Sequence, residues 1–97
     1  MTISRCHIAM YKNRIGSRNN ITGLAIRKLR LSQDCRMSQR VLAERLQLEG
    51  LDLDKNAIQK IESGQRFVTD IELVAFSKVF DVPISTLYEE GLLSLKL

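Results

Sequence analysis

Residues 38–66 read SQRVLAERLQLEGLDLDKNAIQKIESGQR, and this stretch decides the fold. Ser38 is a favourable N-cap, and Leu42, Ala43 and Leu46 after it share one face at helical spacing. Ala43 is small enough to let a second helix approach closely. Gly50 then sits in the middle of a connection over residues 47–54, with Leu48, Leu51 and Leu53 spaced to tuck back into a core. Asp54 caps a second short helix that runs through Glu62 and ends at Ser63-Gly64.

The helix after Asp54 has two unlike faces. At about 100° per residue, Ala57, Ile58 and Ile61 share one arc, with Glu62 at its border. Lys55, Asn56, Gln59 and Lys60 occupy the opposite arc. A solvated helix face usually mixes charge signs, because pairs one turn apart stabilise it. This face holds two ammonium groups and two amides. Amides pair bidentately with adenine, and lysine donates to guanine O6 and N7. An ordinary surface helix remains the alternative on this wheel alone.

Its neighbours strengthen the nucleic-acid reading. Ser38, Gln39 and Arg40 open the preceding helix, whose free N–H groups can receive a phosphate. Gln65 and Arg66, just past the reading helix, are expected at the backbone on the other side. Base-edge contacts choose sequence and phosphate contacts fix register, so both kinds of group are present. Arg30 and Glu62 flank the apolar stripes of their helices. They are either a partly buried ion pair or two separate surface charges.

Outward from this stretch the chain reads as further helices. Ile21, Ala25, Ile26 and Leu29 form a stripe over about residues 20–32, interleaved with Arg27, Lys28 and Arg30. Thr69-Asp70-Ile71-Glu72 is a capping box opening a helix to about Phe80. That helix is apolar nearly all round and is expected to be central and buried. Asp81-Val82-Pro83 breaks it, and Ser85 caps a short last helix expected to stop at Gly91. No run alternates at period two for long enough to be a strand.

The expected organisation is a basic arm over residues 1–19, mobile or partly ordered near its end, a helical domain over 20–91 and an apolar tail over 92–97. Residues 1–40 carry nine Lys and Arg against one acidic residue, Asp34, whereas the remainder balances to −4. A polyanion-facing side and a basic leader on an acidic domain both fit that asymmetry. The tail leucines, Leu92, Leu93, Leu95 and Leu97, suit either a dimer contact or packing on their own core.

Composition narrows the remaining classes. Cys6 and Cys35 build no disulfide framework, and with the single His7 they lack the paired spacing of a structural metal site. No metal or other cofactor is expected. No apolar run approaches the roughly 20 residues that span a bilayer, and Arg5, Lys12, Arg14 and Arg18 interrupt any signal-like segment. The expected compartment is the cytoplasm, with no membrane partner. The sequence has no Gly-rich phosphate loop and no histidine placed to activate a nucleophile, so no enzyme is expected.

Several separated motifs together resemble the lambda-repressor-like (Cro/repressor, XRE) helix-turn-helix proteins. They are Ile26-Arg27-Lys28-Leu29-Arg30, Ser38-Gln39 with Leu42-Ala43, Ile61-Glu62-Ser63-Gly64-Gln65-Arg66, and Phe76 with Val79-Phe80 and Val82. The likeness extends over roughly residues 20–90. It implies an all-α, compact five-helix bundle that binds operator DNA and regulates transcription, a small repressor commonly working as a homodimer. It assigns Gln39 to phosphate contact and bracing, Lys55, Asn56 and Gln59 to base reading, and Arg30 with Glu62 to a structural ion pair. The connection before the reading helix carries about five residues more than the usual turn of roughly 3–4. A longer-turn variant with a stretch like Leu48–Asp52 is also a form of the family. Which of Lys55, Asn56 and Gln59 enters the groove most deeply stays open. The other reading of the same bundle is a protein-interaction module, an antitoxin or adaptor holding a protein partner.

Overall fold

A computed structural model describes residues 14–33 and 35–95. Residues 1–13 of the expected arm, with Cys6 and His7, and Leu97 of the tail lie outside the described residues. Among the described residues five helices follow in order: α1 Thr22–Leu31, α2 Gln39–Leu48, α3 Lys55–Ser63, α4 Asp70–Phe80 and α5 Ile84–Ser94. The only other regular feature among the described residues is a tight turn closed by a bridge between Ile15 and Arg18. The fold is all-α.

Local chemistry starts and stops the helices. The Ser38 hydroxyl accepts from Val41 N at 3.1 Å, and the Asp54 carboxylate accepts from Ala57 N at 2.8 Å. Thr69 and Glu72 cap each other's backbone reciprocally at the start of α4. Past α2, Gly50 takes φ 89°, the left-handed geometry that glycine adopts without steric cost, and Leu51 N returns to Leu46 O. The long connection between α2 and α3 is thus an ordinary glycine-terminated helix end followed by a stretch without regular structure up to the cap at Asp54.

The core is formed by the faces those periodicities predict. Phe76, Ile26, Leu42, Leu46, Ile58, Ile61 and Leu87 are fully buried. Leu29, Leu51 and Leu53 pack against them from the side. Gly91 on α5 lies so close to the Ile21 carbonyl that a side chain there would collide with backbone.

Four expectations need correction. Ser85 does not cap α5, which starts one residue earlier at Ile84, with Pro83 at the N-cap and no side-chain cap. Leu48 does not tuck into the core but is 87% exposed, because it closes α2 on the solvent side. Helix α4 is not buried all round: Leu73, Ala75, Phe76 and Phe80 are buried, while Ile71 and Val74 face outward. Helix α5 does not stop at Gly91. It runs to Ser94, since that glycine serves close packing rather than termination, and Leu92 and Leu93 are exposed on its last turn.

Candidate nucleic-acid interface

Helix α3 is anchored by its inner face. Ile58 and Ile61 are fully buried and Glu62 nearly so, while Lys55, Asn56, Gln59 and Lys60 are all exposed. The donor-rich arc therefore projects from a helix whose opposite arc is sunk in the core.

Glu62 ties α3 to both preceding helices. Arg30 donates from Nε to Oε2 at 2.7 Å and from Nη2 to Oε1 at 2.9 Å. Its remaining nitrogen, Nη1, donates to the Met37 carbonyl at 2.9 Å. Gln39 Nε2 donates to Glu62 Oε1 at 3.0 Å. Arg30 and Glu62 are thus one buried, forked pair rather than two surface charges, and Gln39 braces it from the first turn of α2.

Beside this pair a cleft opens, lined by Arg27, Ser38, Gln39, Arg40 and Lys55. Ser38 satisfies the Val41 amide. By helix geometry, the amides of Gln39 and Arg40 at the same end have no intrahelical acceptor. Free amides, a helix N-terminus and three exposed cations converge where an anion would be stabilised. Arg40 bonds Glu44 at 2.9 Å on an open surface, a pairing that contributes little and is readily exchanged. Sequence grounds assign Arg27 no role. Its place one turn before Arg30 on the same helix is the available signal.

Gln65 and Arg66 differ from each other. Gln65 is exposed. Arg66 instead forks onto Glu72, at 3.0 Å to Oε1 and 2.8 Å to Oε2, and also donates to the Phe67 carbonyl. This guanidinium ties the loop after α3 to the first turn of α4, so a phosphate contact there would share it with Glu72. The hydrogen-bonded Arg66 guanidinium holds the Glu72 carboxyl below its usual pKa, and the Thr69 amide adds to this against the opposing effect of burial.

The segment before α1, which reads in sequence as the end of the arm and the start of the first helix, with no site, touches α3 directly. Arg18 Nη2 donates to Glu62 O at 2.9 Å, and Asn20 Nδ2 donates to Ile61 O at 2.9 Å and to Arg66 O at 2.7 Å. Periodicity does not reveal such contacts, because they join side-chain donors to a helix end more than 40 residues away.

A family model described as helix-turn-helix matches residues 26–87, from α1 into α5. Comparison with curated proteins and with solved structures gave no match.

Proposed function

The chain belongs to the lambda-repressor-like helix-turn-helix family of DNA-binding transcriptional regulators, and on that premise we propose that it is a small repressor reading operator DNA with α3. One observation carries this reading. Lys55, Asn56, Gln59 and Lys60 form an exposed, acid-free face on a helix locked from behind by the Arg30–Glu62 pair. In the major groove these groups meet base edges. Ser38, Gln39 and Arg40 meet phosphate at the cleft, joined there by Arg27, and Gln65 meets it past the other end of α3. On this reading the protein acts in the cytoplasm, where its DNA is. No described helix is long and apolar enough to cross a membrane.

We further propose that it acts as a homodimer. One bundle reads only a few base pairs, and two half-sites about 34 Å apart multiply specificity. Ile71, Val74, Ile84 and Tyr88 on α4 and α5, and Leu92 and Leu93 on the last turn of α5, are exposed apolar side chains available for such a contact. The same surface supports the second reading, a module that holds a different protein.

Selection of bound sequences from a random duplex pool tests the proposal. Enrichment of one palindromic site is the expected result, and it would identify operator and dimer together. Failure to enrich any sequence, with binding of a protein partner indifferent to duplex DNA, would favour the interaction module.

A further inference from the structure

Six hydrogen bonds run from three consecutive residues to the last turn of the reading helix and the three residues that follow it. Arg18 Nη2 donates to the carbonyls of Ile61 and Glu62, and Asn20 Nδ2 to those of Ile61 and Arg66. Asn19 donates from its backbone N to Gly64 O at 2.7 Å and from Nδ2 to Gln65 O at 3.0 Å. The last carbonyls of a helix have no intrahelical donor and carry its partial negative charge. Here the Ile61 and Glu62 carbonyls are met by the Arg18 guanidinium and the Asn20 amide, while Asn19 holds the residues just past the helix.

Two glycines make room for this contact. Gly64 has φ 87°, and a Cβ there would meet the Arg18 side chain at 2.9 Å. Gly23, on the first turn of α1, lies against the Ile61 carbonyl so closely that any side chain would strike backbone. Asn20 serves both helices: its Oδ1 accepts from Gly23 N at 2.9 Å while its Nδ2 reaches α3. These residues, Gly64 apart, all precede Ile26, where the family match begins, so the clamp reaches α3 from beyond the matched region.

We propose that Arg18 and Asn20 are positioning residues for DNA recognition, fixing the last turn of α3 so that Gln59 and Lys60 keep their base-reading geometry. The inference rests on the reading of α3 given above. Ile58, Ile61 and Glu62 already seat the helix on the core. One buried face and one ion pair still leave rotation and tilt of the final turn to be restrained. Readout groups must be held within about 0.5 Å of their working positions, which requires a second fixed point. The clamp supplies it, and its guanidinium offsets the negative helix end that would otherwise approach phosphate.

The test uses the full chain, a duplex carrying the selected site and a random duplex of equal length. Asn20→Asp keeps the acceptor for Gly23 N and loses the donors to Ile61 O and to Arg66 O just past α3. Arg18→Met removes the guanidinium. Each is expected to lower the ratio of specific to random affinity roughly tenfold, about what one base contact supplies. Arg18→Lys, which retains a donor, should recover part of that ratio. Partial unfolding reduces binding to both duplexes alike and leaves the ratio unchanged. Variants that retain the wild-type ratio while melting earlier would overturn the proposal and leave the clamp purely structural. Should Arg18→Met lose its helical circular dichroism, Asn20→Asp and Arg18→Lys decide. Absence of any site preference in the wild-type protein would overturn the DNA reading itself, and the clamp's role with it, an outcome distinct from preference unaffected by the variants.

Discussion

Arg30 and Glu62, on α1 and α3, form a forked ion pair with two hydrogen bonds of 2.7 and 2.9 Å, and Glu62 keeps only 4% of its side-chain surface exposed. Removing one partner strands the other charge in a poorly solvated site, which costs about 3–5 kcal/mol. Arg30→Ala is therefore expected to lower the urea midpoint sharply while leaving affinity per folded molecule less affected. Arg30→Lys should recover only part, since an ammonium cannot fork onto a carboxylate. Unchanged stability in Arg30→Ala would contradict the pair's structural role.

Lys55→Ala and Asn56→Ala are each expected to weaken binding to the selected site by about 1–3 kcal/mol, with little change on random duplex. Both side chains are exposed on α3, so folding should be unaffected. Uniform weakening on all sequences would remove them from the base-reading set. Comparing the two effects would also show which residue sits deeper in the groove.

Arg27→Ala and Arg40→Ala should weaken every duplex and reduce the slope of log affinity against log salt by about 0.9 for each phosphate that is no longer neutralised. Both residues line the cleft beside the N-terminus of α2. A slope equal to the wild-type value would show that the cleft does not hold a phosphate.

The Arg66–Glu72 pair predicts a pH dependence. The Glu72 carboxyl is held below its usual range chiefly by the Arg66 hydrogen bond, so its folded pKa lies under the unfolded value of about 4.3. Its stabilisation is therefore present above that pH and is lost as pH falls through the folded value. Glu72→Gln should flatten the acid limb of the melting temperature against pH. Arg66→Ala should lower stability near pH 7 and likewise flatten the acid limb, because the folded pKa of Glu72 then moves back toward the unfolded one. An acid limb identical to wild type in Glu72→Gln would assign the dependence to other carboxylates.

Much of the fold is legible in the sequence because helices are local. Ser38, Asp54 and Thr69 announce their helix starts through short-range capping, and the spacing of Ile58 and Ile61 assigns the buried face of α3. The exposed quartet from Lys55 to Lys60 follows from the same 3.6-residue period. The periodic rule fails where exposure depends on what lies opposite. Ile71 and Val74 are apolar yet exposed, because no described element covers that side of α4. Gly91 has the sequence context of a helix stop but serves as a contact with Ile21.

By itself the sequence determined the helical class, the helix order and the exposed, donor-rich face of α3. These depend on interactions among residues three or four apart, which composition and spacing encode directly. Only the tertiary structure decided how Arg30, Gln39 and Glu62 share one site, that Arg66 pairs with Glu72, and that Arg18 and Asn20 hold the end of α3. Each side chain has several donors and many acceptors in principle. Which of them meet is set by the packing of helices distant in sequence, and no local period records it.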